Sequence, residues 1–208
     1  EADECIALSI NPDISYPFIA NWSAFLDQSW TAPAHTRIGQ DTLARLGKLL
    51  TAVPEDVTLN PRVRKIVDER CKMIDGTLHL DWGCAETLAY ASLLDEGYRV
   101  RLTGQDSGRG TFFHRHAVLH CQRTGASYIP LRAFGQGPDW FTMVDSILSE
   151  EAVLGFEYGY STTVPNALVV WEAQFGDFAN GAQVVIDQFL ASSEQKWRRL
   201  SGLVLMLP

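Results

Sequence analysis

A chain of 208 residues, 46% hydrophobic and 20% charged, is long enough for one well-packed core and has the balance of an ordinary globular protein. Its formal charge of -8 argues against a nucleic-acid partner, because phosphate binding needs clustered Lys and Arg and the only basic cluster of note is Lys196, Arg198 and Arg199. No apolar run reaches the roughly 18–20 residues of a membrane helix, and Glu1 to Glu4 is acidic where a signal peptide is basic, so a cytosolic or organelle-matrix setting is expected.

Residues 1–38 read as an irregular leading segment in which Trp22, Phe25, Leu26 and Trp30 could face one way on a short helix capped by Asn21. Residues 39–78 read as a helical linker. Leu43, Leu46, Leu49, Leu50 and Val53 recur at helical spacing until Pro54. Asn60 followed by Pro61 starts a second helix whose stripe is Val63, Ile66, Val67, Cys71 and Ile74, with Gly76 as its stop. Residues 79–208 alternate strand and helix. Asp81 caps a helix that is expected to turn Ala85, Leu88, Ala89 and Leu93 to a sheet. Strands are expected at 98–102, 141–147, 167–171 and 202–207, with helices from Ser149 through Tyr158 and over 179–190. This order predicts an α/β fold, a parallel sheet with helices on both faces. The chain stops at Pro208 directly after an apolar strand, where ligands of open α/β sheets bind, which predicts that the domain is truncated there. The four cysteines, Cys5, Cys71, Cys84 and Cys121, form no CxxC pair and read as free thiols.

Few residues carry a chemical signal. Glu150 and Glu151 open a helix, where acids ordinarily complement the helix dipole. Apolar residues on both sides raise a second possibility, a desolvated carboxyl able to share a proton near neutrality. Phe175 and Phe178, just past a buried strand, could be core or could wall a flat ring. Gln105 and Asp106 lie in the glycine-containing loop 104–110, and His114 and His116 follow it. The two histidines lack metal-ligand spacing but stay open as acid–base candidates. No nucleotide-binding or hydrolase fingerprint is present.

Residues 81–86 (DWGCAE), 100–117 (VRLTGQDSGRGTFFHRHA), 145–153 (DSILSEEAV), 156–159 (FEYG) and 171–188 (WEAQFGDFANGAQVVIDQ) closely resemble the decarboxylating components of 2-oxoglutarate dehydrogenases, the bacterial form most. The resemblance implies a thiamine-diphosphate-binding, transketolase-like pyrimidine domain over 79–208. It implies that Glu150 hydrogen-bonds the pyrimidine ring nitrogen, that Phe175 stacks on the ring with Phe178 beside it, and that Gln105 and Asp106 lie near the thiazolium. His114 and His116 are carried over weakly as shaping the substrate end. It further implies magnesium and the diphosphate on a domain missing from this chain and no metal ligand here. The expected partners are a second copy in a homodimer, a lipoyl-bearing succinyltransferase component and 2-oxoglutarate, and the setting is the bacterial cytoplasm, or the mitochondrial matrix in a eukaryote. By itself this stretch is expected to be inactive. A nonoxidative decarboxylase, a carboligase, or a noncatalytic module retaining the fold remain compatible with the same residues.

Overall fold

The computed structural model describes residues 20–29 and 31–208, so the expectations placed on Cys5, on Trp30 and on residues 1–19 lie outside it. At the start of the described residues, Ser23–Phe25 form a single 3-10 turn. Asn21 accepts the Ser23 N–H at 3.0 Å, and Trp22 donates Nε1–H to the Thr162 carbonyl at 2.9 Å.

Helix α1 (Gln40–Thr51) buries Leu46 completely, and helix α2 (Pro61–Ile74) crosses it where Ile74 occupies the space beside Gly47. The start of α2 follows its local chemistry. The Asn60 side chain accepts the Arg62 N–H at 3.0 Å, and Pro61 sits in the first helical position, where its missing N–H is not needed. The expected stripe is corrected at one place: Cys71 is exposed, and Met73 is buried instead. The helix serves two partners, packing Val67 against Leu59 and Leu119 while Met73 and Ile74 join Leu46, and its contact face turns away from Cys71 between them.

Helix α3 (Trp82–Asp95) is capped by Asp81, whose carboxylate accepts the Cys84 N–H at 2.7 Å. Its buried face is Cys84, Thr87, Leu88, Ala91 and Leu94; Ala85 and Ala89 are exposed and Leu93 only partly buried, against expectation. Alanine removes too little apolar area from water to decide a face, and the larger side chains one position round decide it.

Strands β1 (Arg99–Gly104), β4 (Phe141–Asp145), β5 (Ala167–Glu172) and β6 (Leu203–Met206) form one sheet in the order β4-β1-β5-β6, every pair parallel. Helices cover both faces. Val100, Leu102 and Val170 pack with α1 and α3, while Val169 and Trp171 point the other way. There Trp171 meets Val153 and Leu154 of helix α4 (Glu150–Thr163) and Ala179, Ala182 and Val185 of the segment after β5. Arg101 alternates out of the first core and runs beneath α4, donating to Glu157 at 2.7 and 2.8 Å. Helix α4 continues five residues past Tyr158. The expected 179–190 helix is instead a 3-10 segment (Gly176–Ala182), a short α5 (Gln183–Val185) and a π turn (Ile186–Leu190), followed by α6 (Ser193–Trp197). Gly176 and Gly181 are poor helix formers, in keeping with the irregular start. A two-stranded antiparallel hairpin, β2 (Leu119–His120) with β3 (Ser127–Tyr128), lies outside the main sheet and has no counterpart in the sequence reading.

The strands end level. Gly104 of β1 is in register with Asp145 of β4 on one side and Glu172 of β5 on the other, and Glu172 is in register with Met206 of β6. This depends on a glycine at 104, since a Cβ there would stand 2.1 Å from the Glu172 carbonyl oxygen. Gly104→Ala is therefore expected to destabilise the fold by about 2–3 kcal/mol, because backbone on backbone cannot relax as a side chain does. The midpoint of urea unfolding measures this, and an unchanged midpoint would contradict the close approach of β1 and β5.

Candidate functional site

The level strand ends gather segments that are far apart in sequence onto one edge. Gln105 and Asp106 leave β1, residues 146–150 leave β4, residues 173–178 leave β5, and Leu207 leaves β6. Such a carboxyl edge is where open α/β sheets bind ligands. Asp106 takes a left-handed backbone (φ 57), which short acidic side chains tolerate. Its carboxylate accepts Gln174 Nε2 at 2.7 Å and pairs with Arg109 at 3.0 Å. Gln105 is exposed on the rim. The rest of the loop is moored to β4, with Gly108 N–H donating to Asp145 at 2.7 Å and Ser107 Oγ to the Val144 carbonyl at 3.1 Å.

Glu150 is the first residue of α4. Ser149 caps that helix, its hydroxyl accepting the Ala152 N–H at 3.5 Å. Glu150 is half-buried, whereas Glu151, one residue on, is exposed and lines a separate groove of about 550 Å³ with Gly155, Tyr158 and Phe189. The 3-10 segment after Phe175 packs on α4 through Ala179 and Ala182 against Val153 and Leu154. Phe175 and Phe178 meet edge to face with centroids 5.8 Å apart, and both keep substantial ring surface open. A flat apolar ring could lie against that surface, since aromatic pairs favour such contacts.

Beneath the edge is a buried ionic cluster. Arg115 is wholly buried and uses all five of its N–H groups. It donates to Glu172 at the end of β5, to Glu86 on α3 at 2.8 and 3.1 Å, and to the Ser107 carbonyl at 2.7 Å. Tyr90 donates its hydroxyl to Glu86 at 2.7 Å. Burial opposes the charge on Arg115, but the hydrogen bonds to Glu172 and Glu86 outweigh it and hold the guanidinium above its usual range. Burial, reinforced by Glu86, raises Tyr90. From α2, Arg70 donates to the carbonyls of His114 at 2.9 Å and Arg115 at 2.7 Å, so the backbone of this stretch is clamped from behind.

Residues 79–208 match the family described as transketolase, pyrimidine binding domain. The chain belongs to that family. Over 188 residues the chain is 55% identical to the 2-oxoglutarate dehydrogenase E1 component of Haemophilus influenzae, and over 195 residues it is 56% identical to that of Cupriavidus necator. The same component of Azotobacter vinelandii is 55% identical over 188 residues. These alignments take in 90%, 92% and 90% of this chain but only 20% of each relative, so the chain spans about a fifth of the length of the curated relatives it matches.

Within this pyrimidine-binding domain, the sequence candidates fall into three places. Gln105, Asp106, Glu150, Phe175 and Phe178 share the strand-end edge of β1, β4 and β5. His114 stands toward β6, in a pocket of about 530 Å³ that also includes Trp82, Phe112 and Glu172. His116 is elsewhere, lining a smaller cleft of about 280 Å³ with Asn60, Val63, Leu119 and His120. Left-handed backbone at Phe113 (φ 56) and His116 (φ 43) swings the two histidines apart. Among the described residues, no group of three His, Cys, Asp or Glu side chains is placed to hold a metal ion, and no helix is long and apolar enough to cross a membrane. Sequence reasoning missed the roles of Glu86, Arg115, Glu172 and Arg70. The one available signal was a glutamate directly following the apolar run of β5.

Two outcomes follow for the domain. Arg115→Met strips the counter-charge from two buried carboxylates and is expected to cost about 3–5 kcal/mol, with part of it recovered by adding Glu172→Gln; chemical denaturation measures both. His114 and His116 are pushed below the usual 6.5, foremost by burial, with Arg115 adding to the effect at His114 and Arg70 and Arg109 at His116. Between the folded values and 6.5, the unfolded chain binds more protons, so stability rises with pH and is lost as pH falls through that window. Tm is thus expected to be lower at about pH 5.5 than at about pH 7.5, and the difference is expected to shrink in the H114Q/H116Q double variant.

Proposed function

We propose that this domain supplies the pyrimidine-binding half of a thiamine-diphosphate site in the component that decarboxylates 2-oxoglutarate in the tricarboxylic acid cycle. The observation that carries the proposal is the placement of Glu150, half-buried in the first turn of α4, on the same strand-end edge as the open faces of Phe175 and Phe178. The names of relatives 55–56% identical to the chain support it.

The residues present fit an aminopyrimidine. Glu150 would hydrogen-bond a ring nitrogen and share a proton with it, Phe175 would stack on the ring, and Phe178, edge-on to Phe175, would hold that ring in place. Gln174 and Arg109 both hold the Asp106 carboxylate, so it would present a positioned polar group toward the reacting end, with Gln105 exposed beside it. When bound, thiamine diphosphate supplies the electron sink that lets a 2-oxo acid lose carbon dioxide; the protein supplies orientation and proton control. Magnesium and the diphosphate would be held by another domain, contributed by a second copy in a homodimer. The four-carbon unit would leave on the lipoyl group of a succinyltransferase component. A cytoplasmic setting accords with the bacterial relatives.

In the full-length enzyme, Glu150→Gln is expected to lower 2-oxoglutarate decarboxylation by about 10²- to 10⁴-fold, the usual effect of removing a positioned acid–base group. Its Tm should stay near wild type, because the half-buried Glu150 carboxyl sits at the start of α4 and outside the buried Glu86–Arg115–Glu172 cluster. A wild-type rate in this variant would sink the assignment.

A further inference from the structure

His114 is held in a way that no packing need explains. Its Nδ1 is buried without a partner, against Gly110, where a Cβ would stand 2.7 Å away. A buried N–H without an acceptor is rarer and more costly than a buried lone pair, so the ring proton belongs on Nε2. Among the described residues Nε2 makes no hydrogen bond: Glu86 Oε2 lies 3.7 Å from it, beyond bonding range, and that carboxylate is already occupied by Arg115 and Tyr90. The imidazole opens instead on the pocket bounded by Trp82, Phe112, Glu172, Met206 and Leu207. Substantial structure fixes it there. Gly110 has φ 79, Arg70 clamps the His114 carbonyl, and Gly83 lets that carbonyl come so close that a Cβ would be 2.0 Å away.

The pocket adjoins the edge described above. Its floor, Glu172, is three residues before Phe175, and Thr111 Oγ1 donates to the Gln174 carbonyl at 2.6 Å, tying the Phe112 loop to the turn that bears Phe175. Its lining contains one carboxylate, already paired, and no Lys or Arg. A carboxylate ligand would find no cation there, whereas a carbonyl oxygen would find one N–H donor and aromatic or aliphatic walls for its carbons.

Resting on the thiamine reading above, we propose that His114 donates its Nε2–H to the keto oxygen of the bound 2-oxo acid, with the tautomer and aim set by Gly110 and Arg70. Burial, with Arg115 adding, holds the ring below the usual histidine range, so it acts as an uncharged donor. The bond strengthens as charge builds on that oxygen, so its loss is read in kcat more than in KM.

The test compares H114Q, H114N and H114F in the full-length enzyme, since a Gln amide nitrogen reaches about the place of Nε2 and an Asn amide about that of Nδ1. Expected is a kcat for 2-oxoglutarate lowered about tenfold to a hundredfold in H114N and H114F, with most of it retained in H114Q. Thiamine diphosphate affinity, read by tryptophan quenching, is expected to be unchanged in all three, and ¹⁵N imidazole shifts should report the Nε2–H tautomer. Equal kcat in H114Q and H114N, or an Nδ1–H tautomer, overturns the inference while leaving the thiamine assignment standing. That contrast decides even where H114F does not fold. Failure of the wild type to bind thiamine diphosphate removes both.

Discussion

The structure turns on one buried guanidinium. Arg115 joins the end of β5, the middle of α3 and the loop after β1, and each of its N–H groups has a partner. Buried ion clusters add little net stability, because desolvation offsets most of the Coulombic attraction. What this one fixes is direction. Two carboxylates share a single guanidinium along adjacent edges that meet at Nη2, so any displacement of α3 against the sheet would leave a charge unpaired in a medium that penalises it heavily. The loop carrying His114 is thereby registered to the strand that leads into Phe175.

Around that anchor, the fold brings separate pieces of chain to a common level. Parallel strands have no tight turns to align them, so the alignment comes from side-to-side register and from the permissive backbone at Gly104. The result places short segments from β1, β4, β5 and β6 together with little irregular backbone inside the protein. Their few buried polar groups are mostly satisfied locally, by Ser107, Asp145, Gln174 and Thr111. Among the described residues the exceptions are few, and one of them, Nδ1 of the pocket residue His114, is buried behind the pocket against Gly110.

Much of this was legible in the letters because it is local. Asn60, Asp81 and Ser149 each satisfy a backbone N–H two or three residues ahead, and such caps depend on no distant partner. Strands β5 and β6 announce themselves as short apolar runs, and β1 as an alternation of Arg99 and Arg101 with Val100 and Leu102. The face of α3 was not legible, because alanines have too little surface to vote against Cys84, Leu88 and Leu94. The hairpin at 119–128 has two paired residues on each side, too few for an alternation to show. The Glu86–Arg115–Glu172 cluster joins residues 29 and 57 positions apart, and no spacing rule reaches that far. His114 and His116 share parity, which would put them together on a regular strand. Two left-handed residues undo that, and neither is a glycine that could have given warning.

Glu150 and Glu151 are chemically alike and adjacent, yet a helix turns by about 100° between them, so one meets the strand-end edge and the other a different groove. Which of them faces the edge is set by where the helix begins, and that is set by the length of the connector from Asp145 to the Ser149 cap. Shortening this connector by one residue, with the helix axis held, would bring Glu151 to where Glu150 stands and draw Glu150 back to the cap position, whereas lengthening it would put Ser149 there instead. A one-residue insertion or deletion in this connector would therefore alter the strand-end edge more than most side-chain substitutions along it.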